Sequence, residues 1–187
     1  MTMTSELGIL FETVIFEKTK FEGVYIVRME PKEDSRGSFA RVFCKEELKT
    51  AGIDFDVKQV NQALTKKRGT LRGLHYQKEP KAEAKLVRCF QGKVYDLVVD
   101  LRLNSSTYKK WLAFELSDLN TFIYIPKGLA HGYETLSDNC WMEYFMSEFY
   151  APEYEAGLRW DDPALGIDWP VMNPFLSEKD KNWPLLT

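Results

Sequence analysis

Histidine is scarce in this chain: 187 residues contain two. Proton transfer by imidazole therefore falls to His75 or His131, and a metal site built on three histidines is excluded. Cysteine is nearly as rare. Cys44, Cys89 and Cys140 are odd in number and lack zinc-ligand spacing, so they argue against a disulfide framework and for small buried side chains in a reducing compartment. Net charge is also small. A formal charge of -3 and a pI near 5.6 give no general attraction to nucleic acid, so any phosphate binding must come from a local group of arginines and lysines. No apolar run reaches the length of a membrane span, and the acidic residues among the first dozen positions do not form the basic-then-apolar pattern of an export signal. The expectation is a cytoplasmic protein with neither nucleic acid nor membrane as partner.

What is abundant is β-forming. The chain is 44% hydrophobic and 14% aromatic, yet 28% charged, the balance of a folded and soluble protein. Its length suits one domain over 1–187, with a short N-terminal arm and a C-terminal helical tail. Segments 23–29, 56–64, 70–76, 85–90, 93–101, 110–116, 121–125 and 141–149 are rich in β-branched and aromatic residues with a period of two. Gln91-Gly92 is expected to close a hairpin between two of them, and the turn at 117–120 to close the next. The resulting fold class is mainly β, a meandering antiparallel sheet closed as a barrel or double-sheet jelly roll with few helices. One short helix is predicted at 44–51, stopped by Gly52, and another after Leu176.

Both histidines sit in dense motifs, His75 within Leu71-Arg72-Gly73-Leu74-His75-Tyr76-Gln77 and His131 within Ile125-Pro126-Lys127-Gly128-Leu129-Ala130-His131-Gly132. Arg72 precedes His75 by three residues and Lys85 follows it by ten, a base among fixed cations that suits an anionic substrate. Strict alternation would put Arg72 and His75 on opposite faces of their strand; a bulge at Gly73 would bring them together. Several of these residues have plainer readings. Ser177 and Asp180 could form a helix cap, Tyr144 could be core packing among neighbouring aromatics, Lys85 could be a solvated strand residue, Arg36-Gly37 could be a turn, and Tyr150 could be an ordinary surface aromatic.

Taken together, nine blocks resemble the dTDP-4-dehydrorhamnose 3,5-epimerase family of cupin-type jelly rolls, over nearly everything from Gly23 to Pro184. They are Asp34-Ser35-Arg36-Gly37-Ser38-Phe39, Gln59-Val60-Asn61, and positions 71–77, 85–88, 94–102, 126–132, 144–152, 160–163 and 176–180. The resemblance implies epimerisation of a nucleotide-linked 4-keto-6-deoxyhexose, in which protons at C3 and C5 are acidified because the carbanion delocalises onto the C4 oxygen. It implies that His75 is the base, oriented by Asp180, that Tyr144 is the acid, and that Lys85 and Arg72 stabilise the enolate or the neighbouring diphosphate. It further implies substrate binding by Arg36 at phosphate, by Gln59, Asn61, His131, Glu155 and Lys179, and by Tyr150 stacked on the pyrimidine. The family is generally dimeric, and the arm carrying Arg36 and Phe39 lends contacts to the neighbouring subunit's site. No cofactor and no metal are implied.

Three positions depart from the usual family pattern. Arg41 stands where an acid is common, Lys32 where an aromatic often lies, and Phe145 replaces a common lysine after the tyrosine. These leave open a single-centre epimerase acting on a CDP- or GDP-linked sugar. A non-catalytic nucleotide-sugar-binding cupin is a further alternative. Pro126-x-Gly128-x-x-His131 also looks like the second cupin motif of metal oxygenases, but the upstream histidine pair of that class is missing.

Overall fold

The computed structural model describes residues 14–186; the expected N-terminal arm lies largely at 1–13, outside the described residues. The elements in chain order are β1 (Val14–Lys18), β2 (Tyr25–Met29), β3 (Lys32–Asp34), β4 (Gly37–Phe39), α1 (Lys45–Thr50), β5 (Gln59–Thr65), β6 (Leu71–Gln77), β7 (Lys85–Gln91) and β8 (Val94–Asp100). There follow β9 (Trp111–Leu116), β10 (Thr121–Ile125), β11 (Leu129–Thr135), β12 (Cys140–Met146), β13 (Glu155–Gly157) and α2 (Glu178–Lys181). A six-stranded sheet runs β1-β2-β10-β7-β12-β5, a five-stranded sheet runs β13-β6-β11-β8-β9, and β3 with β4 forms a separate hairpin. All named strand pairs are antiparallel, as a jelly roll requires.

The two turns expected to close hairpins do something else. β7 and β8 belong to different sheets, as do β9 and β10, so Gln91-Gly92 and the 117–120 turn carry the chain across the sandwich. The meander is thereby replaced by a crossing topology. Turn chemistry is local and is the same in both cases; what decides between them is the partner each strand finds, β12 and β10 for β7, β11 and β9 for β8. The expected helix at 44–51 is present as α1, with Cys44 at its N-cap. Strand β11 was not legible as a strand, because all seven of its residues are buried and Gly132 interrupts any alternation.

Apolar side chains fill three layers. Between the sheets, Val87, Cys89, Ile123 and Met142 of one meet Val94, Val98, Leu116 and Leu129 of the other. Outside the six-stranded sheet, Leu48, Ile53 and Phe55 cover Val27, Leu86 and Phe122. Outside the five-stranded sheet, Leu158 and Leu165 cover Leu74, Leu97, Val99 and Ala130. Each sheet is thus covered on both faces, which is why β10 and β11 are buried at every position. The inward row turns polar at one end. There Asn61 of β5, Arg72 and His75 of β6, Lys85 of β7, His131 of β11 and Tyr144 of β12 line a common cavity.

Candidate active site

The site depends on a bulge in β6. His75 pairs with His131 and Arg72 pairs with Tyr133, so three steps along β6 answer two along β11. Gly73 absorbs the additional residue at φ +144°, and a Cβ there would lie 2.5 Å from Gly132 Cα. Only glycine tolerates both conditions. The bulge expected from the sequence is therefore present, and both Arg72 and His75 line the cavity.

His75 is joined to the far end of the chain. Its Nε2 lies 2.6 Å from Asp180 Oδ1. Asp180 is buried in α2, and its backbone N–H donates to Ser177 Oγ at 3.1 Å. The helix cap and the contact with histidine, set against each other in the sequence, coexist: the cap holds the turn that presents the carboxylate. Trp183 adds an Nε1–H donated to Asp180 Oδ1 at 3.3 Å and sets its ring edgewise to the imidazole, with centroids 6.0 Å apart. Burial pushes the Asp180 carboxyl up, but the His75 hydrogen bond and charge, with the bonds from Ser177 and Trp183, outweigh it and hold the group below its ordinary 3.8.

His131, directly across the strand pair from His75, has its own carboxylate. Its Nε2 lies 2.7 Å from Asp96 Oδ2, and both residues are buried. Asp96 Oδ1 has no hydrogen-bond partner among the described residues. Lys85 is a buried cation: Nζ donates to the His75 carbonyl at 3.0 Å and lies 3.1 Å from Glu83 Oε1. Glu83 uses its other oxygen to accept from Gln77 N–H at 3.0 Å. Arg72 donates from Nε to Thr65 Oγ1 at 3.0 Å.

Tyr144 approaches from the other sheet. It alternates inward with Met142 and Met146 along β12, and its ring packs edgewise on His131 at 6.2 Å. Burial, together with Tyr133 and the charge of Asp96, pushes its phenol well above the ordinary 10.0, against a smaller opposing effect of Arg72. The hydroxyl therefore holds its proton at neutral pH. Phe145, the next residue, faces away. It stacks on Phe43 at 6.0 Å and tilts against Phe122 at 6.2 Å in the outer layer, so the departure from lysine at that position does not alter the cavity wall.

The cavity holding these groups measures about 610 Å³. A smaller one of about 310 Å³ adjoins it through Asn61, His75, Lys85 and Met146, and adds Gln59, Tyr150 and Glu155. Glu155 organises that second chamber, accepting from Tyr150 Oη at 2.7 Å and from Lys179 Nζ at 2.5 Å. Burial pushes Glu155 up, but Lys179 and Tyr150 draw it below the usual carboxylate value. Gln59 Oε1 accepts from the Tyr150 backbone N–H at 3.0 Å. The structure thus brings together all the expected residues except two. Arg36 and Phe39 stand on the β3–β4 hairpin, 87% (side chain) and 75% exposed respectively, and do not line the cavities of their own chain. Arg36 is paired with Asp34 at 2.5 Å. Arg41 is likewise engaged elsewhere, with Glu47 at 2.8 Å.

Sequence reasoning missed Thr65, Glu83, Asp96, Tyr133 and Trp183. Asp96 left a signal, as a charge inside the apolar run of β8 whose neighbours are nearly all buried. Tyr133 meets Thr65, and Trp183 meets His75, through pairings distant in the chain, which spacing does not reveal, while Glu83 lies two residues from Lys85, where a charged side chain is ordinarily solvated.

In chemical terms the cavity sets a carboxylate-bound imidazole from the five-stranded sheet against a protonated phenol from the six-stranded sheet, with a buried ammonium between Glu83 and the His75 carbonyl. Proton removal and proton delivery can proceed from opposite layers, with a cation available to the charge that develops. Known proteins with this architecture agree. The family model for dTDP-4-dehydrorhamnose 3,5-epimerase matches residues 18–187. A dTDP-4-dehydrorhamnose 3,5-epimerase from Methanothermobacter thermautotrophicus is 44% identical over 172 residues, covering 90% of this chain and 92% of its own. The Bacillus anthracis dTDP-4-dehydrorhamnose 3,5-epimerase, solved with TDP and PPi bound, matches with TM-score 0.89 at 38% identity, covering 92% of this chain and 99% of that one. The Legionella pneumophila epimerase, solved with dTDP-4-keto-L-rhamnose, matches with TM-score 0.86 at 35% identity over 92% of each chain. A match that extends through the bulged strand, both sheets and the capped tail carries one conclusion: this chain belongs to the dTDP-4-dehydrorhamnose 3,5-epimerase family.

Proposed function

We propose that the protein converts dTDP-4-keto-6-deoxyglucose into dTDP-4-keto-rhamnose by inverting C3 and C5. The observation that carries this reading is the pairing of His75 with Asp180 on one sheet and the protonated Tyr144 on the facing sheet, in a single cavity that also holds Lys85. The nitrogen of His75 not engaged by Asp180 takes the proton from the ring carbon, and the C–H electron pair moves onto the C4 oxygen as an enolate. Asp180 fixes the ring and stabilises the imidazolium that forms. Lys85 and Arg72 stabilise the oxyanion and the neighbouring diphosphate. Tyr144 then gives its proton to the opposite face of the carbon. The imidazolium loses its proton to water and the phenolate recovers one, and the enzyme is restored.

The second chamber takes the nucleotide, with Tyr150 stacking on the pyrimidine and Gln59, Asn61, Glu155 and Lys179 around it. His131, held by Asp96, contacts the sugar. Arg36 and Phe39 serve the neighbouring subunit of a homodimer, which accounts for their exposure on a protruding hairpin. We read the chain as one domain acting in the cytoplasm, where its three free cysteines stay reduced.

The experiment is proton NMR of the purified protein with dTDP-4-keto-6-deoxyglucose in deuterated water. Loss of both the C3 and C5 signals with inverted ring configuration is expected, and replacement of His75 by Asn should slow both exchanges by about 10²–10⁴-fold. Exchange at one carbon alone would restrict the activity to a single centre. No exchange by folded protein would overturn the reading.

A further inference from the structure

Past the end of β12 the chain leaves its sheet, and around Tyr150 side chains hold its backbone. Gln77, 7% exposed, accepts from the Ala151 N–H through Oε1 at 2.6 Å and donates from Nε2 to the Phe149 carbonyl at 3.2 Å. Its Nε2 donates a second time, to the Lys81 carbonyl at 2.8 Å. Gln59 Oε1 accepts from the N–H of Tyr150 itself. Two glutamines, one from each sheet, thus grip three successive residues.

The Gln77 amide can do this in one orientation only. Its Nε2 hydrogens meet two carbonyl oxygens and its Oε1 meets an N–H; turned over, donor would face donor and lone pair would face lone pair. Burial makes each of these bonds costly to lose. The side chain they fix stands out in solvent: Tyr150 is 57% exposed, and its ring is tethered at Oη to Glu155, at 2.7 Å. Glu155 is itself the β13 residue paired with Gln77. His75 lies two residues before Gln77 on β6, about 7 Å along the strand. One buried side chain therefore links the strand of the imidazole to the backbone of Tyr150 and to the strand of its tether. A ring fixed in this way loses less freedom when a planar base settles on it.

We propose that Gln77 is a positioning residue for nucleotide binding: its amide fixes the 149–151 segment, so that the Tyr150 ring stands ready for the pyrimidine at a set distance from His75. The proposal rests on Tyr150 taking the base. Gln77 acts through Tyr150 rather than on the reacting carbons, so its removal should weaken capture of the nucleotide and spare turnover of the bound substrate. Gln77→Met keeps the length of the side chain. It also keeps the backbone N–H that donates to Glu83 Oε2 at 3.0 Å, and so leaves the pair of Glu83 and Lys85 in place.

The test is a double-mutant cycle read by calorimetric titration of the full chain with dTDP, alongside turnover. Gln77→Met should weaken dTDP binding by about tenfold and raise KM in proportion, with kcat within about threefold of wild type. Tyr150→Ala should weaken dTDP binding by about tenfold or more. In that background Gln77→Met should change the affinity by less than about twofold, because the ring it positions is gone. A merely structural role would lower affinity by the same factor with or without the ring, or lower kcat with dTDP affinity intact; either result overturns the proposal. Should Gln77→Met fail to fold, Gln77→Glu takes its place. It keeps an acceptor for the Ala151 N–H but turns an oxygen toward the Phe149 and Lys81 carbonyls, and the same cycle is expected of it. If Tyr150→Ala binds dTDP as wild type does, the placement of the base fails and this proposal with it. If Tyr150→Ala weakens binding and Gln77→Met does not, only the role of Gln77 fails.

Discussion

Gly157 lies flat against the indole of Trp183, so close that a Cβ on the glycine would come within 2.4 Å of the ring. Gly157 is also the β13 residue paired with His75. Its missing side chain opens the space in which Trp183 packs against the imidazole and donates to Asp180. The strand beside His75 is thus shaped to admit the tail that packs against it.

Gly157→Ala should therefore displace Trp183 and loosen Asp180 without disturbing either sheet. We expect a stability loss of about 1–3 kcal/mol by urea denaturation, from overpacking, and slower proton exchange at the substrate. Adding Trp183→Phe to this variant should recover part of the stability by giving the methyl room.

Gly73→Ala should be more damaging. The substituted residue would need φ +144° with its Cβ 2.5 Å from the Gly132 backbone, so β6 must lose its bulge or part from β11. A loss of about 3 kcal/mol is expected, together with loss of activity because Arg72 and His75 would no longer face one cavity. Thermal unfolding and the exchange assay on the same preparation measure the two effects.

The alkaline limb of the rate should lie high. As the proposed acid, Tyr144 would act in its protonated form, and its environment raises its pKa well above 10.0, so rising pH should not remove that acid until the solution is more alkaline than an ordinary tyrosine requires. A profile of kcat against pH should show no loss assignable to Tyr144 below pH 10, with ultraviolet difference titration following the phenols directly.

Asp180 links the tail to pH on the other side. Its folded value is depressed below 3.8, so its contribution to stability is present above the value of the unfolded chain and is lost as pH falls through the folded one. Asp180→Asn should cost about 1–3 kcal/mol at pH 7, and the gap from wild type should close as pH is lowered below 3.8. Urea titrations at several pH values test the sign.

Lys85→Met would strand Glu83 in the interior, because the two side chains are 8% and 4% exposed and pair at 3.1 Å. The expected cost is about 3–5 kcal/mol. Glu83→Gln added to it should restore stability but not the rate, since the cation proposed to stabilise the enolate stays missing. Chemical denaturation and turnover measured on both variants separate the two roles of the lysine.

The fold class was legible because period-two apolar segments and turn residues are local properties, and the bulge at Gly73 was legible because a glycine stood where alternation conflicted with the motif. The connectivity was not. Gln91-Gly92 has the chemistry of a hairpin turn yet bridges two sheets, and β11 hides its strand character because both of its faces are buried. The role of His75 could be proposed from its neighbours and from the family resemblance, but the packing of Trp183 on its ring and the buried bond between Thr65 and Tyr133 join residues far apart in the chain, and no spacing encodes them.

The contact between His75 and Asp180 spans 105 positions of the chain. During synthesis at about 5–20 residues per second, the carboxylate follows the histidine by roughly 5–20 s. The strands of both sheets are complete by Gly157, before α2 has been made. A nascent chain can thus pair the strands of both sheets while the imidazole still lacks its partner and the cavity its tail-side wall. The pairing of His75 with Asp180, on which the proposed proton transfer depends, is then acquired when the tail docks.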